Sequence, residues 1–251
     1  MASLHLQDLT VEFPIYQANG RSLKKALFSA PMGTNLARDA ANRILVRALN
    51  HLTLTIDKGD RVGLIGPNGS GKTTLLKTLA GIYEPTGGAL HTQGRVSALL
   101  DVQMGMNPDA TGRENIMLRG MYMGIHPKDM QVHVGEVVEF TELGPYIDMP
   151  VRTYSAGMML RLAFAASTCV EPEILLMDEW LAAGDSHFLA KAQKRMEDFV
   201  QRSSLMVLAS HSLELLEKWC NKGLYLRNGN VIAYGPLKEV ADIYQQSLAE
   251  A

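Results

Sequence analysis

Hydrophobic and polar residues alternate in two stretches near the start of the chain, residues 4–13 and residues 49–56. Alternation with a period of two is typical of a strand that buries one face and exposes the other. Residues 87–100 continue the strand-like pattern. Two short apolar runs, residues 174–177 and residues 205–209, are typical of fully buried strands. The pattern therefore predicts strands at intervals along the whole chain.

Helical signals occur in the middle of the chain. Thr111 is followed three residues later by Glu114, a capping box that predicts a helix starting near Gly112. A second helix is expected over residues 127–140. A third is expected after Ser155, whose side chain is a natural N-cap.

Two dipeptides near the end of the chain predict local structure. Asn228-Gly229, between two apolar runs, predicts a hairpin turn, and Gly235-Pro236 is expected to open the last helix. Because strands alternate with helices and one block of helices is inserted, the pattern favours an α/β core with a helical subdomain.

Composition narrows the class of protein. Of 251 residues, 47% are hydrophobic and 20% charged, as in ordinary globular proteins, and the net charge of −2 argues against a nucleic-acid partner. The chain has no run of 18 apolar residues, and its start lacks the pattern of a secretory signal. Cys169 and Cys220 fall on predicted helices, where we expect buried, reduced thiols in a cytosolic setting.

One glycine-rich segment carries the strongest chemical signal. It matches the phosphate-binding pattern G-x-x-x-x-G-K-[ST], follows a strand-like run at residues 61–65, and precedes a helical run at residues 74–80 that stops at Gly81. The backbone N–H groups of such a loop can wrap an anion at the positive end of the helix dipole. Lys72 would reach the β and γ phosphates of a nucleotide, and the Thr73 hydroxyl would bind Mg²⁺. The expected nucleotide-binding residues are Gly66, Pro67, Asn68, Gly69, Ser70, Gly71, Lys72, Thr73 and Thr74.

Three further segments supply candidate chemistry. Asp178 and Glu179 end a buried strand, so Asp178 is expected to hold Mg²⁺ and Glu179 to polarise the attacking water as a general base. Ser155 and Gly157 stand where a helix begins, which is a small anion site. His211 follows the strand at residues 205–209 and is expected to contact the γ phosphate.

These motifs, in this order and spacing, resemble those of the nucleotide-binding subunit of an ABC transporter. The resemblance rests on the phosphate loop and on residues 154–158, 178–179, 183–185 and 211. It implies an α/β P-loop NTPase (RecA-like) core at about residues 1–100 and 170–251, an antiparallel β subdomain, and a helical subdomain at about residues 101–169, all in one nucleotide-binding domain. It also implies a head-to-tail homodimer that sandwiches two ATP molecules with Mg²⁺. The residues assigned through the resemblance are Ser155 and Gly157 in the signature motif, Asp185 in the D-loop, and Glu179, His211 and Lys72 in catalysis.

Some positions depart from the family pattern or leave a choice open. The usual signature is Leu-Ser-Gly-Gly-Gln, whereas this chain has Tyr-Ser-Ala-Gly-Met at residues 154–158. The Q-loop residue that would approach Mg²⁺ is either Gln103 or Asp101. The aromatic residue that would stack on adenine is Phe13 or, as a second choice, Tyr16.

Several segments resemble one subfamily, the exporters of lipid-linked polysaccharides such as O-antigen, capsule and teichoic acid. They are residues 13–16, 21–25, 99–101, 111–116, 154–158 and 183–185. The resemblance implies an integral-membrane permease as partner, a lipid-linked glycan as cargo, and a peripheral location on the cytoplasmic face of the cell (inner) membrane. Some members carry a further C-terminal carbohydrate-binding domain; we expect none here, because the chain ends about 40 residues after His211.

Other functions compete with this interpretation. An importer subunit, a non-transport ABC ATPase acting on nucleic acid, and an ATP-binding regulator without turnover are the alternatives. A single cassette without a long coiled-coil insert, together with both Glu179 and His211, argues against the last two. A basic insert at residues 17–47 has six basic residues and one acidic residue. It is either a contact for the membrane surface, the permease or a lipid pyrophosphate, or an ordinary solvated loop.

Overall fold

The computed structural model describes residues 2–14, 36–38, 44–101, 103–178 and 186–249. Tyr16, Glu179, Asp185 and most of the basic insert lie outside the described residues. The chain divides into two compact units, the first containing Met1–Gly94 and Val207–Ala251 and the second Arg95–Met206. Within the described ranges, no helix has the length and apolar character needed to cross a membrane.

The described strands and helices follow one another along the chain in an α/β pattern. The strands are β1 (Ser3–Pro14), β2 (Leu36–Arg38), β3 (Ile44–Asp57), β4 (Arg61–Ile65), β5 (Gly87–Gln93), β6 (Val96–Leu99), β7 (Ile174–Asp178), β8 (Leu205–Ala209), β9 (Lys222–Arg227) and β10 (Asn230–Pro236). The α-helices are α1 (Lys72–Leu79), α2 (Gly112–Tyr122), α3 (Pro127–Thr141), α4 (Ala156–Ser167), α5 (Ser186–Arg202), α6 (Leu213–Trp219) and α7 (Leu237–Ala249). Two short 3₁₀ helices, Gly144–Asp148 and Val151–Thr153, separate α3 from α4.

The first unit contains an antiparallel sheet with the strand order β2-β3-β1-β5. The strands expected at residues 4–13 and 49–56 are both present, and their alternating leucines and isoleucines are buried. The expected start of the second strand was wrong, because β3 already begins at Ile44. Its early part pairs with β2, with Leu36 opposite Val46, so part of the basic insert is strand rather than connection.

The first unit also holds the strands that carry the phosphate loop. The order is β10-β9-β4-β8, in which β8 contributes residues 207–209, and β4 runs parallel to β9. The hairpin turn predicted at Asn228-Gly229 is confirmed, and both residues have positive φ, 50° and 71°. The last helix begins one residue later than expected. Gly235 and Pro236 still pair with β9, so they complete β10 instead of opening α7.

The second unit combines the parallel pair β6 and β7 with helices α2 to α5. The helices expected near Gly112, over residues 127–140 and after Ser155 are all confirmed. The capping box of α2 is formed as predicted: Glu114 N donates to Thr111 Oγ1 at 3.2 Å, and Thr111 N donates to Glu114 Oε2 at 2.8 Å. Helices α2, α3 and α4 share one apolar core, which includes Ile116, Met130, Val134, Val137, Leu162 and Ala166.

Two further expectations need correction. Residues 87–100 form two strands rather than one continuous strand, because Gly94 turns the chain between them with a φ of 104°. As a result β5 belongs to the first unit and β6 to the second.

The two cysteines lie just past the ends of helices, Cys169 after α4 and Cys220 after α6. Both are free thiols, and burial raises the pKa of Cys169 to about 11 and that of Cys220 to about 12.

Candidate functional site

The phosphate loop connects the buried strand β4 to helix α1, as the sequence predicted. Its glycines adopt backbone angles that other residues avoid: φ is 148° at Gly66, 76° at Gly69 and 108° at Gly71. Leu75 N donates to Gly71 O at 2.8 Å, which starts the helix at the end of the loop. The N-terminal N–H groups of α1 thus adjoin the loop, and the first turn of α1 carries no acidic residue to oppose an anion.

A close fit between backbones fixes the shape of the loop. A Cβ on Gly66 would overlap the carbonyl oxygen of Leu226 in β9, and one on Gly71 would lie 2.7 Å from the carbonyl oxygen of Ala48. Gly229 N donates to Ser70 O at 3.0 Å. The loop is therefore held from the side by β3 and by the β9–β10 hairpin, a support that the sequence did not reveal.

Lys72 already rests inside the loop. Its Nζ donates to Gly66 O at 2.7 Å and to Pro67 O at 3.1 Å, and only 9% of the residue is exposed. The ammonium group is thus held over the loop, where phosphate oxygens can replace carbonyl oxygens as its acceptors. Thr73, the next residue, is exposed on the first turn of α1, so its hydroxyl is accessible to a metal ion.

The loop fits a chain of phosphates on two structural grounds. Glycines stand where side chains would fill the space beside the loop. The buried hydroxyl of Ser70 has no hydrogen-bond partner within the described part of the chain. An orphaned hydroxyl and a ring of backbone N–H groups are donors that phosphate oxygens can satisfy.

His211 also belongs to the first unit and lies exposed between β8 and α6. Hydrogen bonds fix the backbone around it: Ser212 N donates to Ser210 Oγ at 3.1 Å, and Leu215 N donates to Ser212 Oγ at 3.2 Å. The Ser212 cap was not noticed in the sequence, although serine ahead of an apolar helix is a typical signal. The two serines that flank His211 therefore hydrogen-bond the backbone that leads into α6.

Phe13, the first choice for stacking on adenine, lies half-buried in β1 opposite Val46. Its ring meets Tyr83 edge to face, with ring centroids 5.1 Å apart and planes at 73°. Lys77 stands 5.5 Å from the centre of the Tyr83 ring. Tyr83 was missed by sequence reasoning, because only the fold brings it beside β1. Tyr16, the second choice, is outside the described residues.

In the second unit, Asp178 is the last residue of β7. The four residues before it are buried and Asp178 itself is half-buried, so the strand presents the carboxylate at its carboxyl end. Parallel α/β sheets place their ligand sites at such ends. The neighbouring Glu179 and the D-loop Asp185 lie outside the described residues.

The signature residues open helix α4. Ser155 is its N-cap, with Met158 N donating to Ser155 Oγ at 3.2 Å, and Gly157 follows in the exposed first turn. Both line a cleft of about 370 Å³ that is also lined by Glu142 and Arg161. Arg161 Nη1 is 3.9 Å from Glu142 Oε2. The cleft thus places a helix N-terminus beside the ion pair of Arg161 and Glu142, and Arg161 is a lining residue that sequence reasoning missed.

The two Q-loop candidates, Asp101 and Gln103, lie in one local turn. Gln103 N donates to Asp101 Oδ1 at 3.0 Å, so the Asp101 carboxylate already stabilises a local turn. The Gln103 side chain is exposed. Both residues are exposed, so both stay candidates for approaching a metal ion and water.

A loop of this kind between strand and helix, within this α/β fold, defines a P-loop nucleoside-triphosphate-binding protein. Comparison with known proteins makes the class more specific. The family model for ABC transporters matches residues 49–182, and the chain belongs to that family. The family resemblance and the fold class drawn from the sequence are thereby confirmed.

Individual relatives agree with this assignment. The O-antigen export system ATP-binding protein RfbB of Myxococcus xanthus is 44% identical, over 100% of this chain and 58% of that protein. The O-antigen export system ATP-binding protein RfbE of Yersinia enterocolitica is 40% identical, over 91% of this chain and 96% of its own length. The teichoic acids export ATP-binding protein TagH of Bacillus anthracis is 38% identical, over 80% of this chain and 36% of that protein. The chain thus spans little more than half of the Myxococcus protein and nearly all of the Yersinia protein.

Solved structures support the fold. The ATP-binding subunit of an ABC transporter superposes with a TM-score of 0.69 at 21% identity, covering 96% of this chain and 93% of the other. A dimeric ATP-binding cassette bound to ADP and Pi gives a TM-score of 0.65 at 19% identity, covering 93% of this chain and 98% of the other. At this level of identity the likeness establishes the cassette architecture.

Proposed function

We propose that this chain hydrolyses ATP to drive export of a lipid-linked polysaccharide through a separate membrane permease. The observation that carries the proposal is the phosphate loop, whose glycines and Lys72 ammonium are arranged for a nucleotide's phosphates. Relatives named as O-antigen and teichoic acid exporters support the choice of cargo. A lipid-linked glycan as cargo and a peripheral location on the cytoplasmic face of the inner membrane are parts of this proposal.

In this mechanism the chain's own residues bind ATP and orient it. Loop N–H groups and Lys72 hold the β and γ phosphates, while Thr73, Asp178 and Gln103 are the proposed Mg²⁺ ligands, direct or through water. The metal ion, when bound, neutralises charge that develops on the phosphate oxygens. Glu179 takes a proton from the attacking water, and His211 orients the γ phosphate. Phe13 is proposed to stack on adenine.

The proposal includes a head-to-tail homodimer. The signature cleft of one copy, with Ser155, Gly157 and Arg161, would hold the γ phosphate of ATP bound to the other copy. Asp185, the proposed D-loop residue, follows the catalytic strand closely in the sequence. We further propose that the helical subdomain at about residues 101–169 receives the permease. The proposal includes no nucleic-acid partner, in keeping with the chain's net charge of −2.

The test uses the Glu179→Gln variant, which should bind ATP and turn it over slowly. The tagged variant is incubated with ATP and Mg²⁺ in native membranes, solubilised in detergent, recovered and analysed by mass spectrometry. Co-recovery of a multi-span membrane protein in similar amount, with a lipid-linked sugar, is the expected result. A Lys72→Ala, Glu179→Gln variant, which should not retain ATP, is the matched control. Recovery of ribosomal or DNA-repair proteins without a membrane partner would refute the export function.

A further inference from the structure

One face of helix α2 holds the segment that follows Gln103. Asn115, Arg119 and Tyr122 are spaced four and three residues apart, so their side chains share this face. All three contact residues 104–107, the continuation of the proposed Q-loop. Every residue in this arrangement belongs to the second unit.

Asn115 fixes the far end of the segment. It is fully buried, its Oδ1 accepts from Asn107 N at 2.7 Å, and its Nδ2 donates to Asn107 O at 2.9 Å. The same Nδ2 also bonds the carbonyls of Ala110 and Thr111, at 3.1 and 2.9 Å. This side chain satisfies the backbone of the segment where it enters α2.

Arg119 fixes the near end and reaches a second helix. It is fully buried; its Nη1 donates to Met104 O, and its Nε donates to Ser167 Oγ at 2.9 Å. Ser167 is the last residue of α4, the helix that begins at the signature serine. A single guanidinium therefore joins the residue after Gln103 to the signature helix.

The segment after Gln103 packs closely against helix α2 and covers the Arg119 guanidinium. A Cβ on Gly105 would lie 2.7 Å from Tyr122 Cγ, so the segment lies directly on the tyrosine ring. Burial lowers the pKa of Arg119, while Tyr122 and Asp101 oppose that shift. The Arg119 Nη2 group is buried and finds no hydrogen-bond acceptor among the residues that the structure describes. Burying a guanidinium costs free energy unless all its N–H groups are hydrogen-bonded, and Nη2 leaves part of that cost uncompensated.

We propose that Arg119 is a positioning residue for ATP hydrolysis: by holding Met104 O and Ser167 Oγ together, it sets the position of Gln103 relative to the signature helix. The inference rests on the proposed function, since it assigns a role in the same reaction. Arg119 itself touches neither nucleotide nor water in this scheme. Loss of the bridge should lower kcat with little change in KM for ATP, because the phosphate loop is untouched.

The first test compares two adjacent buried hydroxyls. Ser167→Ala removes the acceptor for Arg119 Nε, whereas Thr168→Ala removes a hydroxyl that donates to Phe164 O and does not bond Arg119. Both hydroxyls donate to the carbonyl four residues earlier, so each substitution removes one hydrogen bond of the same kind. We expect kcat to fall roughly tenfold in Ser167→Ala, with KM unchanged, and both to stay within about twofold in Thr168→Ala.

Amide hydrogen exchange without nucleotide gives a readout that does not depend on activity. The amide of Met104 donates to Asp101 O, that of Met106 to Gln103 O, and that of Asn107 to Asn115 Oδ1. All three should exchange faster in Ser167→Ala than in Thr168→Ala. Equal kcat and equal exchange in the two variants, while the wild-type chain hydrolyses ATP, would overturn this inference and leave the proposed function intact. A wild-type chain that neither binds nor hydrolyses ATP would overturn both.

A double-mutant cycle tests whether the effect passes through Gln103. Arg119→Lys keeps the charge but cannot make the two divergent hydrogen bonds of a guanidinium, so kcat should fall. In a Gln103→Ala background the same change should have no further effect on kcat. If the two losses multiply, Arg119 acts independently of Gln103 and the proposal is wrong. Arg113→Met, on the same helix but paired with Asp148 at the surface, is the control and should retain kcat.

Discussion

At the scale of single residues, Gly66 and Gly69 in the phosphate loop need glycine for different reasons. Both have positive φ, but a Cβ on Gly66 would overlap the Leu226 carbonyl, whereas a Cβ on Gly69 would meet nothing within 4 Å. Gly66 is therefore held by packing as well as by backbone angle. Gly69 is held by backbone angle alone.

This difference predicts unequal costs for the two alanine variants. Gly66→Ala should lower the free energy of unfolding by about 3 kcal/mol or more, because β9 must move to make room. Gly69→Ala should cost only about 1–2 kcal/mol, since the strain is limited to one backbone angle. Urea unfolding followed by circular dichroism measures both. Equal losses would show that β9 does not constrain the loop.

The cysteines give a prediction that depends on pH. Burial raises the pKa of Cys169 to about 11 and that of Cys220 to about 12, and the thiolate is the reactive form. Neither thiol should react with Ellman's reagent at pH 8 until the chain unfolds in guanidinium. Because these thiols hold their protons more tightly in the folded chain, their contribution to the free energy of unfolding is complete below the ordinary thiol pKa. The contribution is lost as pH rises through about 11 for Cys169 and about 12 for Cys220. Rapid stoichiometric labelling of the folded chain at pH 8 would contradict the assignment.

At the scale of elements, the start of helix α2 depends on a capping box formed by Thr111 and Glu114. Hydrogen bonding to Thr111 lowers the pKa of Glu114, so the carboxylate is favoured at the positive end of the helix. The helix carries Asn115 and Arg119, so the residue at which it begins also determines where these two side chains contact the proposed Q-loop.

Thr111→Ala should therefore lower the free energy of unfolding by about 1 kcal/mol, because the Glu114 N–H loses its acceptor. Thr111→Ser keeps the hydroxyl and should recover most of that loss. Urea unfolding of the two variants and the wild-type chain provides the comparison. Identical stabilities for the alanine and serine variants would mean that the cap contributes nothing here.

Local signals predicted most elements because the signals were strong and near in sequence. The capping box at Thr111 and the serine cap at Ser155 placed two helices within a residue of their observed starts. Asn228-Gly229 fixed the hairpin. The expectations failed where a partner strand decides the boundary: β3 begins at Ile44 because β2 pairs with it, and β10 extends to Pro236 because β9 does.

At the scale of the whole molecule, the proposed dimer requires each active site to use two chains. Lys72→Ala should inactivate the phosphate loop of a chain, and Ser155→Arg should block its signature cleft. Neither variant alone should hydrolyse ATP at a substantial rate. A mixture should form hybrid dimers in which one composite site is intact.

Hydrolysis by an equal mixture should reach about a quarter of the wild-type rate, because half of the dimers are hybrids with one of two sites intact. Phosphate release measures the rate at a fixed total chain concentration. Mixing Ser155→Arg with a Lys72→Ala, Ser155→Arg double variant is the control and should restore nothing. No activity in the first mixture would argue against shared sites.

The sequence by itself determined the phosphate loop, the order of the catalytic motifs and the family, because these depend on residue types at short, fixed spacings. It also determined the helix starts, where a side chain caps the backbone within three residues. Only the tertiary structure showed that Leu226, Ala48 and Gly229 support the loop, that Tyr83 meets Phe13, and that Arg119 joins Met104 to Ser167. These residues are far apart in the chain, and no local pattern encodes a contact that forms only when separate strands and helices pack together.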